Sequence, residues 1–335
     1  MQFNGLGHLE MMLLAGIGGL VGLFAGHVVA RWMSRLESDR PPAWALESIT
    51  ALLLAGFTLA MIGVECQRIP FVQPDLPWRY GRIVFHGLLL CLLVAATWTD
   101  LRHTEIPDEI TVLGMIAGVG LATLSGDLQM IHLWMDWNPV AEHLHGGNVV
   151  IPEWIREHHH WHGLAWSTAG LACGGGLTWL VRVVSGALLG RESLGMGDVT
   201  LMAMIGAFVG WQPVLFIFML APFCGLLFGL LARALTNRPF VPYGPFLAAA
   251  AMVVLFAWRW IWLFPDTGRP GRFAVRNLFG DAISLAILGG AALGGFCLLL
   301  LLVRLYGAIP VGVRTESADP PGDRDRVEHV EDNQA

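Results

Sequence analysis

Asp100 closes the apolar run GLLLCLLVAATWTD, and Asp198 opens another in GMGDVTLMAMIGAFVGW. An ionisable side chain at a hydrocarbon boundary is costly, so a pair of acids at two such ends is read first as a functional site. Brought together where water is scarce, two carboxyl groups cannot both ionise and hold one proton between them. The ionised member can deprotonate a water while the protonated member polarises a peptide carbonyl, which is the chemistry of aspartyl proteolysis. Each acid also has an ordinary reading. Asp198 could be an N-cap that satisfies free amides at a helix start, and Asp100 an interfacial charge paired with Arg102.

The elements that must position this pair are membrane helices. Hydrophobic residues make up 55% of the 335 and charged residues 14%, a balance that belongs to a polytopic membrane protein. Apolar runs able to cross ~30 Å of hydrocarbon as helix fall near 9–30, 44–64, 81–99, 109–126, 163–189, 199–212, 213–235, 245–264 and 281–306. The expected fold is therefore an all-α transmembrane bundle of about nine spans. The stretch 199–235 is too long for one helix, and Gly210, Gln212 and Pro213 are the place to turn it, because proline lacks a backbone donor. No basic residue precedes the first span, while Arg31, Arg35 and Arg40 follow it. That is an uncleaved anchor with its amino end outward. The chain contains no Lys, so orientation rests on arginine alone, and the bias is small. It puts the Asp100 end inside. Three spans end at Asp100 and two more intervene before Asp198, so both acids reach one face.

The letters around the acids carry more. TDLRHTEIPDEIT, GMGDVTLMAMIGAFVGW and VPYGPFLAAAA occur in that order with spans between them. In this the chain resembles the type IV prepilin leader peptidases, a branch of the GxGD-type membrane aspartyl proteases, over residues 9 to 265 and best from Ile83 to Ala250. The resemblance implies that Asp100 and Asp198 are the catalytic pair. It implies that Gly195, Gly197, Ile106, Pro107 and Thr200 line the site, together with a rigid re-entrant turn of Pro242, Tyr243, Gly244 and Pro245. Gly195 and Gly197 permit close backbone approach beside the second acid, and Asp108 is expected to cap the following span. The implied activity is cleavage of leaders from prepilins or pseudopilins, with Gly before the cut and often Phe after it, at the cytoplasmic face of a bacterial inner membrane. Lipid is an expected partner and nucleic acid is not.

Departures bound what the resemblance implies. The family usually has Lys where this chain has Thr200. Many bacterial members carry two CxxC pairs and an N-methyltransferase activity between the first two spans, a region that here is RWMSRLESDRPPAWALESIT, echoing a family motif only in Arg40, Pro41, Pro42 and Glu47. No methyltransferase, cofactor or active-site metal is expected. The five cysteines include no CxxC pair and read as small hydrophobes.

This gives a cysteine-poor N-terminal region at 1–80, a catalytic region at 81–265, an added span within 266–310 and an acidic tail at 311–335 too polar to build a core. Within the catalytic region, a polar outer insert at 127–162 holds seven of the 12 histidines. His143 with His145, and His158 through His162, could hold zinc or copper, or belong to a solvated surface segment. Trp154, Trp161, Trp166, Trp258, Trp260 and Trp262 read as interfacial belts. Two other functions fit the composition: a silent membrane scaffold or assembly factor, and a proton- or cation-coupled transporter using the acids as relays. The transporter is disfavoured because its sites lie near the bilayer midplane.

Overall fold

The computed structural model describes residues 7–36, 41–70, 72, 74–134, 152–190, 194–236, 242–265, 267 and 273–307. His143, His145 and the tail at 311–335 lie outside them. The helices are α1 (His8–Leu36), α2 (Ala43–Ile62), α3 (Leu76–His103), α4 (Asp108–Ser125), α5 (Glu153–Glu157), α6 (His159–Leu189), α7 (Met196–Val209), α8 (Trp211–Thr236), α9 (Gly244–Trp262), α10 (Ala274–Gly280) and α11 (Ala282–Gly307). All but α5 and α10 fall on the nine apolar runs. Six of them, α1, α2, α3, α4, α6 and α9, are long and apolar enough to cross a membrane, whereas the apolar stretches Met196–Val209, Trp211–Leu227 and Ala282–Ala291 are shorter. The fold is an all-α polytopic bundle.

Burial ranks the helices. In α3, 72% of the apolar window is inside the protein, against 22% in α1, so α3 is a central column and α1 a peripheral one. α3 packs on α2, α4 and α9, while α1 packs mainly on α2 and α11 on α6. α7 is apolar on every side and is buried along nearly all of its length from Asp198 to Val209, as expected of a helix enclosed in a core. At 14 residues it is about 21 Å long. It ends at Gly210, whose φ of 81° is open to glycine and whose missing Cβ leaves room for the Trp166 indole. The turn therefore falls at the Gly210–Pro213 break.

Small residues let these helices approach. Gly170 on α6 meets Gly206 on α7 backbone to backbone, and Gly174 lies against the Met202 carbonyl. On α4, a Cβ at Gly118 would stand 3.0 Å from that of Ala207. Without water to drive association inside a bilayer, close backbone packing of this sort is what holds helices together. The α1–α2 hairpin uses the same device at Gly18, Gly22 and Gly26, facing Leu54, Ala51 and Glu47, and Thr50 Oγ1 donates to the Gly22 carbonyl at 2.8 Å.

Three expectations need correction. Of the six tryptophans assigned to interfacial belts, Trp154, Trp161 and Trp260 are exposed, but Trp166, Trp258 and Trp262 are fully buried. Trp166 fills the space at Gly210, and Trp258 stacks on Trp262 at 5.3 Å, which in turn meets Phe279 of α10. Asp108 does not cap α4. Pro107 is the N-cap residue, no side chain caps, and Asp108 and Glu109 lie in the first turn, where their charge complements the helix dipole. The beginning of the insert is not a solvated loop either. Leu128, Met130 and Ile131 are buried, and the Met130, His132 and Leu133 carbonyls accept from Trp258 Nε1 at 3.3 Å, Gln212 Nε2 at 2.9 Å and Trp211 Nε1 at 2.8 Å respectively.

Candidate active site

Asp100 lies one turn before the end of α3, whose chain is then reversed by Thr104 in the left-handed region at φ 56°. The turn brings Ile106 and Pro107 back beneath α3 and starts α4. Asp198 occupies the third position of α7, not its N-cap, and its Oδ2 accepts the Gly195 amide at 3.1 Å. Half of the ordinary reading thus holds. Asp198 satisfies a helix-start donor through one oxygen, as the acid of a capping box does, and its second oxygen is not used in that bond.

The two acids meet around Ile106 and the start of α9. Ile106 is buried, touches the position of Gly197 (3.2 Å to a Cβ there) and lies 3.1 Å from one on Gly244. A Cβ on Gly244 would also collide with Asp100 Oδ2, so only glycine lets α9 begin against this carboxyl group. Asp198 is near enough to act electrostatically on both Asp100 and Tyr243. The structure therefore brings together Asp100, Asp198, Gly195, Gly197, Ile106, Tyr243 and Gly244. Pro242 and Pro245 flank the turn that starts α9, the first buried and the second half-buried. Pro107 stands at the start of α4. Thr200, where the resemblance leads one to expect lysine, turns its hydroxyl back to the Gly197 carbonyl at 3.1 Å.

Burial sharpens the electrostatics. Asp100 is 5% and Asp198 9% exposed; the Gly244 amide faces the Asp100 carboxyl group, and Asp100 Oδ2 itself meets no donor at hydrogen-bonding geometry among the described residues. Arg102 does not fill the role of its counter-ion, because its guanidinium sits 4.9 Å from the centroid of the Trp98 ring on the exposed side of α3. A buried oxygen left without a partner is rare and is concentrated at sites with a function. Gly195 and Met196 are exposed, so the pair borders solvent on the α7 side. Among the described residues, no three His, Cys, Asp or Glu side chains gather as metal ligands. The described part of the histidine insert places the rings of His132 and His162 5.4 Å apart at the far end of the bundle.

Two features were not read from sequence. The role of Gly244 as the contact that admits Asp100 was hidden within a turn recognised only as rigid. The second is a cluster of Glu65, Arg68, Arg79 and Arg259 at the start of α3. Only its helix spacing is legible locally: Arg79 lies three residues from Arg82 on α3 and shares a face with it.

The family profile described as type IV leader peptidase matches residues 87–230, which run from α3 into α8 and include both acids. Over 234 residues the chain is 36% identical to the prepilin leader peptidase/N-methyltransferase of Stutzerimonas stutzeri, covering 64% of this chain and 67% of that one. It is 29% identical over 186 residues to the enzyme of the same name from Xanthomonas campestris pv. campestris, 53% of each chain. With the type 4 prepilin-like proteins leader peptide-processing enzyme of Escherichia coli O78:H11 it shares 24% over 185 residues, 55% of this chain and 54% of the other. No solved structure matches the chain. The chain belongs to the type IV leader peptidase family. It spans about half the length of the Xanthomonas and Escherichia relatives.

Proposed function

We propose that this protein is a membrane aspartyl endopeptidase that removes the leader from prepilins or pseudopilins at the cytoplasmic face of a bacterial inner membrane. The observation that carries the proposal is the pair of buried carboxyl groups at the end of α3 and the start of α7, one with an oxygen lacking any partner among the described residues. One proton is shared by the pair. The ionised carboxylate takes a proton from a water as its oxygen attacks the scissile carbonyl carbon, and the protonated carboxyl donates to the developing oxyanion. Collapse of the tetrahedral intermediate breaks the C–N bond, and the leaving amine takes its proton from the pair. Asp100 and Asp198 are the catalytic residues, Gly244 and Ile106 hold the first, and Gly195 fixes the second.

Residues 81–265 form the catalytic unit in this reading. Processing proceeds without methylation of the new amino terminus, because only six residues separate α1 from α2 and none is a cysteine. The discriminating experiment incubates purified protein with a peptide carrying a Gly-Phe leader junction ahead of an apolar helix. Cleavage at that junction, abolished by Asp100→Asn or by Asp198→Asn in protein that still melts like the wild type, is the expected result. Either variant turning over at the wild-type rate would overturn the mechanism.

A further inference from the structure

At the opposite end of α3 from Asp100 lies a cavity of about 750 Å³. Its polar wall is Glu65 with Arg68, Arg79 and Arg259, and its apolar wall includes Ile62, Ile83 and Leu263. Glu65 is 7% exposed at the side chain, within 2.7 Å of Arg68 and 4.0 Å of Arg259, and also paired with Arg79. Arg82, a fourth arginine of the wall, is buried and directs Nη2 to the carbonyls of Gln129 and Asp127. Arg68, Arg79 and Arg259 thus share one carboxylate, and among the described residues lining the cavity their guanidinium groups outnumber it by two before Arg82 is counted. Their side chains are 60%, 43% and 40% exposed for Arg68, Arg79 and Arg259, so donors remain open to the cavity. Glu65 itself is held at φ 52°, a left-handed conformation that a non-glycine residue adopts at a cost and that recurs at ligand clamps.

The location narrows the ligand. The cavity lies where α2 and α9 end and α3 begins, at the boundary of the bilayer these helices cross. Beside it the outer face of α3 exposes Leu76, Tyr80 and Val84, the last at 75%, a path suited to acyl chains. Guanidinium groups match phosphate by their paired donors, and the surplus charge favours a group with net negative charge over a zwitterion.

We infer that this cavity binds the phosphate headgroup of an anionic phospholipid, its acyl chains lying along the exposed face of α3. The site is independent of the proposed peptidase chemistry. Native mass spectrometry of the full-length protein in neutral detergent, offered phosphatidylglycerol and phosphatidylcholine in equal amounts, reads the preference. Phosphatidylglycerol is expected to be retained at least about five-fold over phosphatidylcholine, and Arg68→Gln and Arg79→Gln are each expected to lower that ratio about five-fold. Arg35→Gln, at the far end of α1, should leave the ratio unchanged. Inorganic phosphate at the same concentration should not displace the lipid. If the variants do not fold, a phosphatidylglycerol probe with a photoreactive group beside its phosphate, used on wild-type protein, should mark residues within 61–83 or 259–263. Equal retention of the two lipids, displacement by inorganic phosphate, unchanged ratios in both variants, or crosslinks confined to other segments would each overturn the inference.

Discussion

The two ends of α3 handle a buried acid in opposite ways. At its start Glu65 lies among Arg68, Arg79 and Arg259, while roughly 30 Å along the helix axis Asp100 has a second acid for a neighbour and an oxygen with no partner among the described residues. Both carboxyl groups are more than nine-tenths buried by residue. Burial alone therefore does not tell the two acids apart; their company does. A carboxylate supplied with cations is stabilised in one charge state. One placed against another acid is held where a proton can be exchanged, a condition that lowers stability and suits catalysis.

The difference can be broken first at the acid end. Asp100→Asn and Asp198→Asn are each expected to reduce leader cleavage by about 10²- to 10⁴-fold, the usual range for losing a positioned acid or base, with melting temperature unchanged or raised because a buried ionisable group is replaced by a neutral one of the same size. Initial cleavage rates and thermal melts of the same preparations decide it. A drop in melting temperature comparable to that of a core mutant would move Asp100 to the structural side of the comparison.

Next in size is Gly244→Val. Its new side chain must displace Asp100 Oδ2 and Ile106, and a misplacement of about 1 Å can lower a rate by about 10²-fold. The expected signature is a fall in kcat with a smaller change in KM. Gly176→Ala is the control, since nothing lies within 4 Å of a Cβ at that position.

At the basic end the expected change is in stability. Glu65→Gln leaves Arg68, Arg79 and Arg259 without their shared carboxylate. Breaking a fully buried pair costs about 3–5 kcal/mol, but these arginines are 40–60% exposed, so solvent screening reduces the expectation to about 1–2 kcal/mol. Denaturation in detergent, read by melting temperature, should show a loss for Glu65→Gln that Asp100→Asn lacks. Equal behaviour of the two would erase the distinction between the ends. The smallest effect is a null in mass: processed substrate from cells whose sole peptidase is this chain should carry an unmethylated amino terminus, and a 14 Da addition traced to the chain, the mass of one methylene by elementary chemistry, would contradict the proposal.

Sequence alone carried much of the acid end. An ionisable residue at each of two apolar boundaries is a local signal, and the parity of spans between them is a matter of counting, so the meeting of Asp100 with Asp198 could be anticipated. The Gly210 break was equally plain, because glycine and proline mark chain reversals. What sequence did not carry was company across the fold. Nothing near Glu65 in sequence announces Arg259, which is brought to it by the end of α9. The tryptophans misled for the same reason. Trp258 and Trp262 are four apart and so share a face of their helix with each other, but whether that face meets lipid or the ring of Phe279 depends on where α10 docks. Asp108 failed as a cap because helix start depends on the backbone at Pro107, one residue earlier than composition suggests.

The anchoring of residues 130–133 bears on how the chain can be modified. Trp258, Gln212 and Trp211 donate to the Met130, His132 and Leu133 carbonyls, so the chain leaving α4 is tied to α8 and α9 before it reaches Trp134. A length change made after that point meets these ties on one side and, on the other, the start of α6, where His162 Nε2 accepts the Leu133 amide at 3.1 Å. A reporter peptide spliced just beyond Trp134 is thus expected to leave the aspartates undisturbed, because these ties and the length of the bundle stand between the splice and the end of α3 that carries Asp100.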